Sequence, residues 1–490
     1  MTLSPLLVSI LALARAGAGA RAWDDFLAAG LQADGDPAVL ALKGRLLKDS
    51  AYRASGQARS TLLAQAAEAY AAAARQRPAT YPLINAATLA FLGGASQRAA
   101  QLATETLDLL DSGAHEPETR YWLGATRAEA LLLLGRETEA RVALRAAVAG
   151  TPDAWEDHAV TLRQFRLILA EQHRADDWLD AFRPPPAIHF AGPIGIDASD
   201  ARLEASIEAA AAAIRPGTAT GALAAGFDIV AAEILHRHGA QLHLILPGAV
   251  ADFVDASVRP YGADWLARFE RLMSDAAIVE TIDEQSGLSA GAIVLAEEMA
   301  LGLAVRVARA RDADMVMLRM KGAGPDRSSA GDSRLRTVEV VGGVVAPPVT
   351  PVRLGPPERP CALVGCGSET TAVLAQRAGT GTHLLPSGAF AIVEGLAEAA
   401  CIATALFDTD NTAPVVLDYG LAGSDGSMDT SRLDALLRLP SPGYPLATRS
   451  AALALDALNT SFKTVIAGES ASLGTSFEFF SLWRVTPPDR

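Results

Sequence analysis

The chain has 490 residues, of which 50% are hydrophobic and 20% charged, a balance that excludes a disordered or fibrous protein. Lys and Arg total 42 against 56 Asp and Glu, so the formal charge is −14, which argues against a nucleic-acid partner because such binding rests on neutralising phosphates. The cysteines Cys361, Cys366 and Cys401 are odd in number, which argues against a disulfide framework, and the first two do not have a usual zinc spacing.

At about 100–200 residues per domain, the length predicts about three domains. The opening run from Met1 to Arg15 is apolar but has no basic segment ahead of it, so it reads as one arm of a helical hairpin and not as a signal peptide. No apolar run reaches the ~20 residues of a membrane span. A cytoplasmic protein with no membrane contact is expected.

Residues 1–183 are rich in Ala and Leu, with few β-branched residues, and apolar positions recur at helical spacing between short Gly turns. Two segments are alike. One starts at Tyr81 and ends in Leu92-Gly-Gly; the other starts at Tyr121 and ends in Leu134-Gly. Each has a bulky start, small residues where helices touch, and Ala on a second helix. This pattern resembles tetratricopeptide repeats. The run from Leu42-Lys-Gly-Arg-Leu-Leu-Lys48 through Arg77-Pro-Ala-Thr-Tyr-Pro-Leu-Ile-Asn85 to Trp155-Glu-Asp-His158 is similar to bacterial proteins related to the TRAF-binding region of mitogen-activated kinase kinase kinases. That resemblance implies a scaffold that binds a protein partner. His158, Arg163 and Arg166 read as a binding face or as a solvated helix face, and Asn85 as a helix-to-helix hydrogen bond.

After Pro184-Pro-Pro186 the pattern changes. Ala187-Ile-His-Phe-Ala reads as a buried strand ending in a loop with Gly192 and Gly195. A helix over 200–214 follows, then a loop with Gly221, Ala222 and Gly226 that opens another helix, then the strand Gln241-Leu-His-Leu-Ile-Leu246. This order predicts a Rossmann-like α/β parallel sheet over 184–320. Glycines let the backbone approach a ligand, and a helix N-terminus suits a phosphate. Asp228 and Glu233 are placed to hold a ribose hydroxyl or act on an anomeric carbon. The spacing Gly221-x4-Gly226-x-Asp228-x4-Glu233, followed by a strand ending in Leu-Pro, resembles the SLOG superfamily of nucleotide sensors and phosphoribohydrolases. The resemblance implies a nucleotide-like ligand bound by Gly192, Gly195, Gly221, Ala222, Gly226, Asp228 and Glu233. The hydrolases' Pro-Gly-Gly-x-Gly-Thr-x-x-Glu run is absent, which favours binding over hydrolysis. Arg259, Tyr261, Trp265 and Arg268 read as a cover over a ligand; alternatively, Trp265 and Phe269 form the apolar face of a helix.

Residues 321–358, rich in Gly, Pro, Ser and Arg, read as a linker. Over 359–490, Cys361-Ala-Leu-Val-Gly365-Cys366-Gly, Thr382-His-Leu-Leu-Pro-Ser387, Ala413-Pro-Val-Val-Leu-Asp418-Tyr-Gly, Ser431-Arg432-Leu-Asp and Phe477-Glu-Phe-Phe-Ser-Leu-Trp-Arg-Val485 resemble, in order, the segments of a class III nucleotidyl cyclase. The resemblance implies an α+β, ferredoxin-like domain. It places Gly365, Cys366 and Ser387 near the metal-binding aspartates, with Met428 and Arg432 at the Asn and Arg positions. Magnesium needs hard oxygen ligands, so this cyclase-like domain reads as degenerate, with no metal or other cofactor. Glu394 and Asp418 are the nearby acids. Active cyclase domains pair, which implies a homodimer.

The expected protein is therefore multidomain and non-catalytic. It combines a TPR-like all-α repeat (1–183), a SLOG-like nucleotide-binding domain (184–320), a linker (321–358) and a pseudo-cyclase domain (359–490). The alternative is an N-glycoside hydrolase or transferase using Glu233 and Asp228.

Overall fold

The computed structural model describes residues 4–15, 17–197, 200–282, 288–322, 334–343, 345–377, 382–386, 388–439, 443–458, 461–472 and 475–484. The contacts group the chain into two compact units, Met1–Pro184 and Pro185–Arg490.

The first unit is a TPR-like run of helices: α1 (Pro5–Arg15), α2 (Gly19–Ala28), α3 (Pro37–Ala51), α4 (Gly56–Gln76), α5 (Thr80–Leu92), α6 (Ser96–Ser112), α7 (Arg120–Leu133), α8 (Glu137–Gly150) and α9 (Trp155–Glu171). Consecutive helices pack in pairs, α3 on α4, α5 on α6 and α7 on α8, while α5 also touches α7 and α9. Small residues set the close approaches. A Cβ at Gly44 would meet the Tyr70 ring at 2.7 Å, and one at Gly124 would meet Ala147 at 2.9 Å. Gly94 and Gly135 take positive φ in the turns after α5 and α7, which a side chain resists. The core is Ala- and Leu-rich, with Tyr70, Phe165 and Ile168 fully buried. Among the described residues, no helix is long and apolar enough to cross a membrane.

The second unit holds two sheets. The first runs β1 (Ala187–Ala191), α10 (Ala201–Ile214), β2 (Thr218–Gly221), α11 (Phe227–Arg237), β3 (Gln241–Leu246), α12 (Val250–Ser257), α13 (Ala263–Asp275), β4 (Ile278–Thr281), α14 (Ala290–Arg311), β5 (Met315–Met320) and β6 (Leu335–Val340). The strand order is β4-β3-β2-β1-β5-β6, and every neighbouring pair is parallel. The central strands are buried because α10, α11 and α13 pack on one side and α14 on the other. Residues 321–358, expected to be a linker, instead supply β6, whose alternating Leu-Arg-Thr-Val-Glu-Val pairs with β5.

The second sheet is mixed. It comprises β7 (Arg359–Cys366), α15 (Thr371–Arg377), β8 (Thr382–Leu384), β9 (Phe390–Val393), α16 (Leu396–Thr409), β10 (Val415–Ala422), α17 (Ser431–Leu437), β11 (Leu446–Thr448), α18 (Arg449–Ala457), β12 (Phe462–Ser472) and β13 (Thr475–Arg484). Its order is β12-β13-β11-β10-β7-β9-β8, with only β10 and β11 parallel. The segments expected to form two separate domains are thus one body, and α14 joins them. Its Leu295, Met299 and Leu303 share a core with β7, β10, α16 and α18. A Cβ at Gly302 would lie 1.8 Å from the Leu453 carbonyl oxygen, so α14 and α18 cross at backbone contact.

Candidate functional site

The carboxyl edge of the parallel sheet gathers most of the residues singled out in the sequence. β1 and β2 end there, and α11 starts there. Asp228, in the first turn of α11, is 8% exposed. Its Oδ1 accepts the Gly192 N–H at 3.1 Å and its Oδ2 accepts the Ala224 N–H at 3.3 Å. Burial pushes its carboxyl up to about 7, against the pull of those two N–H groups. Asp228 therefore ties the loop after β1 to the loop after β2.

The glycines at this edge are required by contact of the chain with itself. A Cβ at Gly192 would meet the Phe227 ring at 2.3 Å, and one at Gly221 would meet Phe190 at 2.6 Å. Gly226, at φ +126°, lies against the backbone of Pro193, Gly195 and Ile196. Gly195, at φ +77°, lies against Tyr261 and the Ala346 carbonyl. Ala222 packs on the core. The free donors are spent internally: Gly195 N–H donates to Ala225 O and Phe227 N–H to Pro193 O. Residues beyond β6 cross the same edge. Gly343 N–H donates to Asp200 Oδ2 at 2.7 Å and Ala346 N–H to Gly195 O at 2.6 Å.

Glu233 is not part of this gathering. Its carboxylate takes two bonds from the Arg268 guanidinium on α13, at 2.9 and 2.5 Å. The same guanidinium lies 4.5 Å from the centre of the Trp265 ring. Trp265 and Phe269 are buried on the inner face of α13, and Arg259 pairs with Asp255 on α12. Arg259, Trp265 and Arg268 thus have structural partners, while Tyr261 touches the Gly195 loop.

In the mixed sheet, Gly365 is enclosed by Phe390 and Val416, each 2.8 Å from where its Cβ would be. Cys366 is buried, and burial raises its thiol, so it is held protonated. Met428 lies beside Gly420. Arg432 is exposed at the start of α17. Ser387 lies outside the described residues. Glu394 pairs with Arg359, and buried Asp418 accepts from Thr448 at 2.5 Å and Ser450 at 3.2 Å. Among the described residues, no three His, Cys, Asp or Glu side chains converge as a metal site. Glycine and a thiol offer no hard oxygen for a divalent ion.

A third gathering lies in the helical unit, on α3, α5, α7 and α9. Lys48 donates to Asn85 Oδ1 at 3.0 Å, and Asn85 Nδ2 donates to Tyr81 O. Thr88 donates to Glu129 Oε1 at 2.5 Å, and Gln164 donates to the same oxygen at 3.4 Å. Burial pushes the Glu129 carboxyl up to about 7, although the Thr88 and Gln164 bonds and the Lys48 charge pull the other way. Burial, and next the Glu129 charge, pushes the Tyr52 phenol up to about 12. Lys48, Asn85, Glu129 and Gln164 remain partly accessible, and Tyr52 and Tyr81 are 43% and 47% exposed. A cavity of about 230 Å³ opens beside Tyr81, lined by Ala38, Ala41, Arg77 and Pro117 among others. Asn85 makes an interhelical bond, to Lys48. His158 is buried, bonded to the Thr151 carbonyl and packed on Tyr121, and Arg166 pairs with Asp176 and Asp180.

Lys48, Thr88, Glu129 and Gln164 are not singled out by the sequence. The available signal was Glu129 itself, an acid set in the apolar run Ala128 to Leu134. Residues 8–90 match a family model described as Tetratricopeptide Repeats-Sensor. No curated protein and no solved structure matches the chain. TPR-like repeats suggest a protein-interaction or regulatory role, and the family match covers α2 to α4 and most of α1 and α5.

Proposed function

We propose that this is a non-catalytic regulatory protein. Its helical unit recognises a protein partner, its parallel sheet responds to a nucleotide-derived ligand, and its mixed sheet is a pseudo-cyclase module that pairs or regulates. The observation that carries the reading is the row of partly accessible polar side chains from Lys48 to Gln164. It occupies inner helix faces that an inert scaffold would fill with apolar residues. The order of β10, β7, β9 and β8 is that of a split βαβ, ferredoxin-like unit, which supports the cyclase-like reading. The crossing of Gly192, Gly195 and Gly226 at a parallel-sheet edge supports the SLOG-like one. A ligand at that edge has to displace the residues around Gly343 and Ala346. The hydrolase alternative gains nothing from the geometry, since Arg268 occupies Glu233 and backbone N–H groups occupy Asp228.

One experiment tests both the ligand and the absence of catalysis. The full chain is heated with ATP, GTP, NAD derivatives and cyclic nucleotides in the presence of manganese, and the same mixtures are analysed for products. A thermal shift with at least one of them, without cyclic nucleotide or free base, is expected. No shift with any of them sinks the ligand reading, and manganese-dependent ring closure sinks the non-catalytic one.

A further inference from the structure

The polar row in the helical unit has a charge order. Lys48, in the last turn of α3, and Tyr52, the residue that caps its C-terminus, are four residues apart; Asn85 and Thr88 are three apart on α5 and share a face. α5 packs between α7 and the α3–α4 pair, so Asn85 and Thr88 form a floor. Lys48 and Tyr52 flank it on one side, and Glu129 and Gln164 on the other.

Lys48 and Glu129 are close enough for the ammonium to act on the carboxyl, yet no ion pair joins them. Each is held by neutral groups instead: Lys48 by the Asn85 carbonyl, Glu129 by the Thr88 hydroxyl and the Gln164 amide. Partly desolvated charges kept apart in this way stay costly until opposite charges reach them. Asn85 Nδ2 has a second N–H, and an amide of that kind can bond an extended backbone.

We propose that this polar row binds an extended segment of a partner protein carrying an acidic and a basic side chain side by side, the acid seated on Lys48 and the base on Glu129. The proposal rests on the reading that the helical unit recognises a protein, and adds the chemistry of what it recognises. Both contacts are charge-assisted, and the exposed Tyr52 ring offers a wall for the stem of the basic side chain. Among the described residues, the titratable groups facing Glu129 are Lys48 on α3 and Tyr52 just after it; Thr88 on α5 and Gln164 on α9 do not titrate. The basic contact needs the carboxylate, so binding strengthens as pH rises through about 7.

The test pans a display library of short random peptides against the full chain at about pH 8, above the Glu129 titration. Enriched sequences are then synthesised and measured by calorimetry. They are expected to share an adjacent acidic–basic pair. Lys48→Glu is expected to abolish the acidic preference and Glu129→Gln the basic one, each weakening the selected peptides by roughly tenfold. Glu129→Gln keeps an acceptor for Thr88, so its fold, checked by circular dichroism, stays intact. Peptides that bind equally well to both variants overturn the assignment to this polar row while leaving protein recognition by the helical unit standing. A library that yields no shared sequence overturns both. Affinity that falls between about pH 6 and pH 8 overturns the role of the Glu129 carboxylate.

Discussion

Asp228 and Glu129 are carboxyls with no cation paired to them, and burial raises both to about 7. The sequence made Asp228 visible, because it follows a glycine loop at the start of a helix. It did not reveal that both oxygens would be taken by backbone N–H groups. Glu129 was invisible for a different reason: Thr88 lies 41 residues away in the chain and Gln164 lies 35 away, so only the fold brings them together. Raised carboxyls have a defined pH signature. Below the unfolded pKa, both states are protonated and the folded chain bears no penalty. The stability is lost as pH rises through the folded pKa, here from about 4.5 to about 7, and is flat above it. At 1.36 kcal/mol per unit, the Glu129 loss is about 3 kcal/mol. Urea unfolding of Glu129→Gln should therefore match the wild type near pH 5 more closely than near pH 8, where the variant is expected to be the more stable by roughly that amount. An unchanged difference across the range would mean that Glu129 is ionised and paired at all these values.

Single elements were legible where their signal was local. Ala- and Leu-rich periodicity with Leu-Gly turns predicted the helical repeat, and Gly loops after apolar runs marked β1 and β2. β6 was hidden because its alternation sits among Gly, Pro and Ser, and its partner β5 became apparent only in the sheet. α14 shows the larger gap. Its sequence is apolar almost all round, as a helix buried on two sides requires, but which surfaces bury it is not local information. It lies against β1, β2 and β3 on one side and α18 on the other. Arg306 and Arg309 both bond Asp456 across that contact, and Gly302 meets the Leu453 carbonyl. Gly302→Ala places a methyl where the backbone of α18 already is. Separating the two helices is expected to cost about 1–3 kcal/mol in urea unfolding, as for other overpacked cores. A loss near zero would show that α14 and α18 slide apart without losing packing elsewhere.

The whole molecule divides at Pro184-Pro-Pro186, a stiff segment that also marks the change of pattern in the sequence. The hydrophobic clusters respect this division. Those of the helical unit end at Phe182, and those of the two-sheet unit begin at Ala187. The change of pattern at these prolines is local and visible in the sequence; the joining of the later segments is not, because α14 packs against both sheets at once. Cooperativity follows shared cores, so two unfolding transitions are expected, and no separate third transition for the mixed sheet. Scanning calorimetry of the variants assigns them. Glu129→Gln above pH 7 should move one transition and leave the other in place, by roughly 2–4 °C for each kcal/mol in a unit of this size. Gly302→Ala should move only the other transition, and with it the melting of both sheets, since α14 is common to their cores. If both variants shift a single transition, the units unfold as one. If Gly302→Ala splits the second transition in two, the sheets are separate after all, and α14 is a linker packed between them.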